Sequence, residues 1–215
     1  MKLRTAIALS AFAALTAGTA NADMIITGLV DGDQSGGNPK AIIVTATAAI
    51  ADLTIYGIGS ANNGGGSDGE EFTFAAGSAA AGDVFIIAGN TASFDFFNNN
   101  YTGTFTLLTN GAANINGDDA VELFMNGGVI DTYGDINVLG DGETWDYSDG
   151  YAVRTGGSAG AFVQANYNSN AFGLDGLDEA TTISTLDNVF GLNIPEPGSL
   201  ALLGLGGLAL LRRRR

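Results

Sequence analysis

Short runs of β-branched and aromatic residues, each closed by a turn signal, set the terms on which this chain can fold. Met24 to Val30, Ala41 to Thr47, Leu53 to Ile58 and Val84 to Ala88 are apolar runs of strand length. Glu71 to Ala75 alternates, with Phe72 and Phe74 on one face, and Thr104 to Leu108 is a weaker run. Ala120 to Met125 and Val129 to Tyr133 are joined through Asn126-Gly127-Gly128, the strongest hairpin signal in the chain. In its first arm Val121, Leu123 and Met125 share a face and Glu122 lies on the other. Tyr151 to Arg154, Ala161 to Ala165 and Thr182 to Leu186 complete the series. No sustained helical period interrupts it. Many short strands between turns predict an all-β fold, a sandwich or barrel. Gly57 to Gly69, "GIGSANNGGGSDG", reads as an exposed loop. So do the acidic stretch Leu139 to Gly150 around Trp145 and Tyr147, and the polar stretch Asn166 to Leu177.

The two ends differ from this body. Lys2 and Arg4, the apolar Ile7 to Leu15 and the small residues of Ala20-Asn21-Ala22 occur in the order of a secretory signal. Residues 1–22 are therefore expected to form a signal helix cleaved after Ala22, with Ala20 and Ala22 as the recognition residues. The body is expected over 23–188, a linker with two prolines over 189–197, and an apolar segment with a basic end over 198–215.

Charge shows the same division. The chain has 23 acidic and 8 basic residues, and only Lys40 and Arg154 are basic between the two ends. Two cations against 23 acids leave that middle part at −21. Such a surface repels phosphate backbones and anionic bilayers, which argues against nucleic acid as a partner. Solubility and affinity for divalent cations are its natural correlates. There is no cysteine and no histidine. The body must stand on its core without disulfides, and a Ser-His-Asp triad, a Cys-His pair and a His-bearing zinc site are all excluded.

At the C-terminus, Ser199 to Leu211 is apolar or small throughout and is followed by Arg212, Arg213, Arg214 and Arg215. As a helix this run spans roughly 20 Å, short of the roughly 30 Å hydrocarbon core. The arginines would hold its end on the cytoplasmic side. Pro195 and Pro197 separate it from the body. Transient insertion in a membrane follows, with Pro195-Glu196-Pro197 exposed outside it. An ordinary anchor is the competing reading, but such anchors are longer.

Pro195, Glu196, Pro197, the apolar Leu200 to Leu211 and the arginine cluster together closely resemble the PEP-CTERM sorting signal of Gram-negative bacteria. The resemblance implies recognition by an exosortase, a membrane-embedded cysteine transpeptidase, and removal of the tail. It also implies a host that makes exopolysaccharide or a surface matrix.

The body carries a second resemblance. "INGDDAVELFMNGGVIDTYGDI", Ile115 to Ile136, is similar to the closing strands of a lamin tail domain. Asp118, Asp119, Val121, Leu123, Val129, Ile130, Asp131, Tyr133 and Gly134 carry the match. "WDYSDGYAVR", Trp145 to Arg154, resembles the strand that follows, and "GEEFTFAAGSAAAGDVFIIAG", Gly69 to Gly89, resembles an earlier pair. The first strand departs, because "KAIIVTA" lacks the acidic residue that the family has there. The resemblance implies an immunoglobulin-like β-sandwich with no catalytic residues of its own.

Asp31-Gly32-Asp33-Gln34-Ser35-Gly36 has the form of the first half of a calcium loop, with Asp31, Asp33 and Ser35 as ligands. The twelfth position is Ile42, where a bidentate Glu is needed, so an acidic turn is the plainer reading. Asp118, Asp119 and Glu122 form one further acidic cluster, and Asp141, Glu143, Asp146 and Asp149 another. Paired carboxylates also run glycoside hydrolysis, but a chain this acidic offers such pairs everywhere. Asn100-Tyr101-Thr102 has the form of a glycosylation sequon, which one triplet reaches by chance. Tyr101, Trp145, Tyr147 and Tyr151 would stack on sugar rings if exposed, or else fill the end of the core. The expectation is an exported, non-enzymatic protein of the cell surface or extracellular matrix. It would be structural or adhesive, with exopolysaccharide or a surface protein as partner. The rival is a calcium-dependent binding module.

Overall fold

A computed structural model describes residues 22–193. Residues 1–21, Ala20 among them, Pro195-Glu196-Pro197, the apolar run Leu200 to Leu211 and Arg212 to Arg215 lie outside the described residues, whereas Ala22 lies within them.

Ten strands form two sheets. They are β1 (Met24–Gln34), β2 (Asn38–Ala46), β3 (Tyr56–Ala61), β4 (Phe72–Thr73), β5 (Val84–Ala88), β6 (Thr106–Thr109), β7 (Ala120–Met125), β8 (Gly128–Tyr133), β9 (Gly150–Arg154) and β10 (Tyr167–Asn170). One sheet has the order β10-β9-β1-β2-β5-β6, the other β4-β3-β7-β8. The hairpin signal at Asn126-Gly127 is the β7–β8 turn, and both residues have positive φ, 51° and 74°, as a type I′ turn requires.

Two helices lie where sequence periodicity shows none, α1 (Thr91–Asn100) and α2 (Glu179–Phe190). The expected strand Thr182 to Leu186 is the middle of α2. Asn90 caps α1 by accepting from Ser93 N at 2.9 Å, and Asp178 caps α2 by accepting from Thr181 N at 2.8 Å. Gly191, at φ 66°, ends α2 in the left-handed conformation. Helix α1 also bridges β5 and β6, which pair in parallel. The body is thus not purely β. It has three layers, the four-stranded sheet, the six-stranded sheet and the two helices.

The six-stranded sheet is buried on both faces, and the period of two sorts its residues. Ile42 and Val44 of β2 and Phe85 and Ile87 of β5 face the smaller sheet. Ala41, Ile43, Ile86 and Ala88 face the helices, with Phe97, Tyr101, Leu186 and Leu192. On β1 a bulge between Ile26 and Gly28 shifts the alternation by one residue, so Met24, Ile26 and Leu29 all reach the same core. Gly28 sits under the Phe190 ring, which a Cβ there would strike.

Three further expectations are corrected. The stretch Gly57 to Gly69 is not all loop, because Tyr56–Ala61 is a fully buried strand. Its Gly57 and Gly59 are needed where Glu70, Phe72 and Gly69 cross the backbone. Ala161 to Ala165 forms no strand, whereas Tyr167–Asn170, expected to be irregular, does. The chain does not become a linker after Asn188, since α2 continues to Phe190 and Leu192 is buried.

Candidate functional site

The two cations of the body are both inside it. Lys40 lies opposite Asp31 on β1 and β2, with Nζ 2.5 Å from Oδ1. Its other two donors go to the Ile115 carbonyl at 2.8 Å and Asn116 Oδ1 at 3.0 Å. Asp31 Oδ2 accepts from Gly117 N at 2.8 Å and Asp149 N at 3.3 Å. Arg154 of β9 meets Asp131 of β8 at 2.5 Å. Asp131 Oδ2 also accepts from Ile26 N at 2.8 Å, and Arg154 Nε donates to the Ile26 carbonyl at 2.6 Å. Arg154 further bonds the Tyr167 hydroxyl and stacks on that ring, 4.5 Å from its centroid. Each pair joins the six-stranded sheet to the other sheet or to the loop entering it. Among the described residues every exposed charge is therefore negative.

Two of the acidic residues singled out by sequence, Asp119 and Asp146, are occupied as turn acceptors, whereas Asp118 Oδ1 is buried with no hydrogen-bond partner among the described residues. Asp119 accepts from Asn116 N and Asn63 N, and Asp146 from Gly142 N and Ser148 N. Glu122 bonds the Ser67 hydroxyl. Burial, with the charge of Asp119 next in weight, holds Asp118 above the usual carboxylate range.

The proposed ligand trio is rearranged. The Asp31 carboxylate is taken up by Lys40 and two backbone amides. The Ser35 residue stands in the β1–β2 turn, where its carbonyl accepts from Asn38 Nδ2 at 2.8 Å. Asp33 instead comes together with Asp149 and Asp175, and one oxygen from each lies within 4.8 Å of the others. Asp149 is raised by burial first and then by the charges of Asp31, Asp33 and Asp175. Sequence reasoning linked Asp33 to its neighbours along the chain and missed Asp175, which is brought in by the turn before α2. Gly176 N, donating to Asp33 Oδ2 at 2.9 Å, fixes that turn.

The aromatic residues are core. Tyr101, Trp145, Tyr147 and Tyr151 are all buried, Trp145 at 4% exposure. Tyr101 and Tyr151 belong to the cluster against the helices, while Tyr133 is the hub of the other core, making edge-on contacts with Trp145, Tyr147, Phe162 and Tyr167. Its hydroxyl donates to the Trp145 carbonyl at 2.5 Å and meets Ser169 Oγ at 2.7 Å. Burial pushes the Tyr133 and Tyr167 hydroxyls above the usual tyrosine range. No sugar reaches these rings in the folded body.

At the C-terminal end of the described chain, Leu192 and Asn193 are clipped to the segment between α1 and β6. Gly103 N donates to the Leu192 carbonyl and Thr102 N to the Asn193 carbonyl, both at 2.8 Å. Asn193 N donates to Asp187 Oδ1 at 2.5 Å. The Leu192 side chain, 4% exposed, belongs to the cluster under the helices. No described helix is long and apolar enough to cross a membrane.

Residues 193–215 match the family of the PEP-CTERM protein-sorting motif. No curated protein and no solved structure matches the chain. The matched segment begins at Asn193, the last described residue, which the body holds. It is a sorting signal read by an exosortase, and it implies processing by that enzyme and export to the cell envelope or surface.

Proposed function

We propose that this chain is a non-enzymatic structural or adhesive protein of the cell surface or extracellular matrix of a Gram-negative bacterium. A signal peptide ending at Ala22 would start its export, and exosortase processing would complete it. The body is read as an immunoglobulin-like sandwich of the lamin tail kind. The two-sheet core and the β7–β8 hairpin of Ile115 to Ile136 support this reading. Helices α1 and α2 would then be additions that cover the outer face of the larger sheet.

The observation that carries the proposal is the sorting motif, which follows directly on a folded, uniformly anionic body. With no exposed cation in the described body, neutral polysaccharide, a basic surface protein or a divalent-cation bridge is the partner chemistry that fits. The test is the intact mass of the protein recovered outside its native cells, followed by its retention on purified exopolysaccharide. A chain running from Asp23 to near Pro195-Glu196-Pro197 and retained on the matrix is the expected result. A chain that still carries Leu200 to Arg215 overturns the processing step, and free elution from the matrix overturns the adhesive role.

A second reading is favoured by Asp33, Asp149 and Asp175. Three carboxylates with oxygens this close repel one another, and a calcium ion between them would relieve that repulsion. The body would then be a calcium-dependent binding module.

A further inference from the structure

Sequence places a spacer between the body and the sorting motif, but its described part, 189–193, belongs to the body. Asn193 is hydrogen-bonded into the body, and only Ile194 separates it from Pro195. Two residues of chain reach about 7 Å when fully extended, so Pro195 can stand no further than that from Asn193.

The chemistry of the motif makes this closeness matter. An enzyme that acts on an extended peptide holds it largely through backbone N–H and C=O groups. Pro195 and Pro197 have no N–H to offer. Main-chain recognition on the body side must therefore draw on Leu192, Asn193 and Ile194. The Leu192 carbonyl is taken by Gly103 N, the Asn193 carbonyl by Thr102 N and Thr102 Oγ1, and Asn193 N by the Asp187 carboxylate. Three of the groups a processing enzyme would bind upstream of the motif, the Leu192 and Asn193 carbonyls and Asn193 N, are thus already held by the body.

We propose that the Leu192–Asn193 clip is a latch that must open before the tail is processed, so that folding of the body limits the rate of tail removal. The inference rests on the reading of residues 193–215 as an exosortase substrate. Opening costs two backbone–backbone hydrogen bonds, two more between backbone and side chain, and one buried leucine at a chain end, the kind of segment that frays far more often than a domain unfolds. The latch therefore slows processing without blocking it.

Two variants test this and leave Ile194 to Arg215 unchanged. Gly103→Val loosens the latch from the body side, because a Cβ at Gly103 collides with the Leu192 carbonyl. A flexible Gly/Ser insert of about six residues placed after Asn193 leaves the latch closed but supplies free backbone. The full-length chain is expressed with its exosortase, and the tail-free fraction is followed by intact mass after a short pulse. Both variants are expected to be processed about threefold faster than the parent, or more. Parent-like or slower processing of the insert variant overturns the latch, and a slower rate would instead make the Thr102–Gly103 face a docking surface for the enzyme. A Glu196→Ala, Pro197→Ala control separates the two readings. If the parent itself never loses its tail, or the control loses it as fast, the sorting reading fails and the latch with it. If only the control is impaired and the insert changes nothing, the latch alone fails.

Discussion

Asp131 and Arg154 meet at 2.5 Å across the two sheets, with side chains 1% and 5% exposed. Between them they also satisfy the N–H and C=O of Ile26 at the β1 bulge, where no strand pairs on that side. The pair is thus a joint between sheets and a substitute for a missing ladder.

Removing one member of this pair leaves a buried charge without its partner, which costs about 3–5 kcal/mol. Arg154→Met alone and Asp131→Leu alone are each expected to lower Tm by on the order of 10 °C. The double variant is expected to be more stable than either single one, because an apolar pair replaces a charge left uncompensated. Thermal unfolding of the four proteins checks the cycle. A double variant no better than the worse single one would contradict the argument.

The body should be more stable in mild acid than at neutral pH. Asp118 and Asp149 are raised in the folded state, by burial and by neighbouring carboxylates. A carboxylate raised on folding contributes stability below its unfolded value near 3.9, and loses it as pH rises through the folded value. Tm in low salt is therefore expected to fall as pH rises from about 4 to neutral, and 0.5 M salt should shrink the difference. A Tm that climbs over this range would refute the sign.

Calcium separates the two functional readings. If Asp33, Asp149 and Asp175 hold the ion, millimolar calcium raises Tm, and Asp149→Asn together with Asp175→Asn abolishes the rise. Titration calorimetry on the same proteins measures the site directly. A midpoint unmoved by calcium leaves the structural reading standing alone.

Trp145 is the single tryptophan, so its fluorescence reports one place. It is buried between Tyr133 and the glycines at 134 and 140, whose added Cβ atoms would touch the indole. Its emission is expected to be blue-shifted and poorly quenched by acrylamide, and to move to the red only on unfolding. Tyr133→Phe keeps the ring contacts but loses the hydroxyl bonds to the Trp145 carbonyl and Ser169. It should cost about 1–3 kcal/mol and loosen this end of the sandwich. Free quenching in the native protein would mean the aromatic cluster faces solvent after all.

The strands that could be read in advance are those whose own residues favour them. Val84 to Ala88 and Ala120 to Met125 are apolar or alternating, and Asn126-Gly127 can hardly be anything but a tight turn. The misread segments owe their state to distant partners. Helix α1, "TASFDFFNNN", is made of poor helix formers and forms because Phe97 and the neighbouring rings bury against the larger sheet. Thr182, Ile183 and Thr185 favour strand, but Asp178 and Gly191 punctuate a helix, and that punctuation was the signal available. Tyr56–Ala61 looks like loop because its glycines serve neighbours that cross over it. The grouping of Asp33 with Asp149 and Asp175 spans most of the chain and has no local signature at all.

The burial of both Lys40 and Arg154 also governs how copies of this body share space. Every charge they meet on one another is of the same sign, and nothing on the described surface offers a counter-charge. The range of that repulsion is the Debye length, about 8 Å in physiological salt and about 30 Å at 0.01 M. In dilute water the bodies stand well apart, and a layer built from them would swell. In brine, or wherever divalent cations bridged them, such a layer would close up. A protein coat built from such units would set its own thickness by the salinity around the cell.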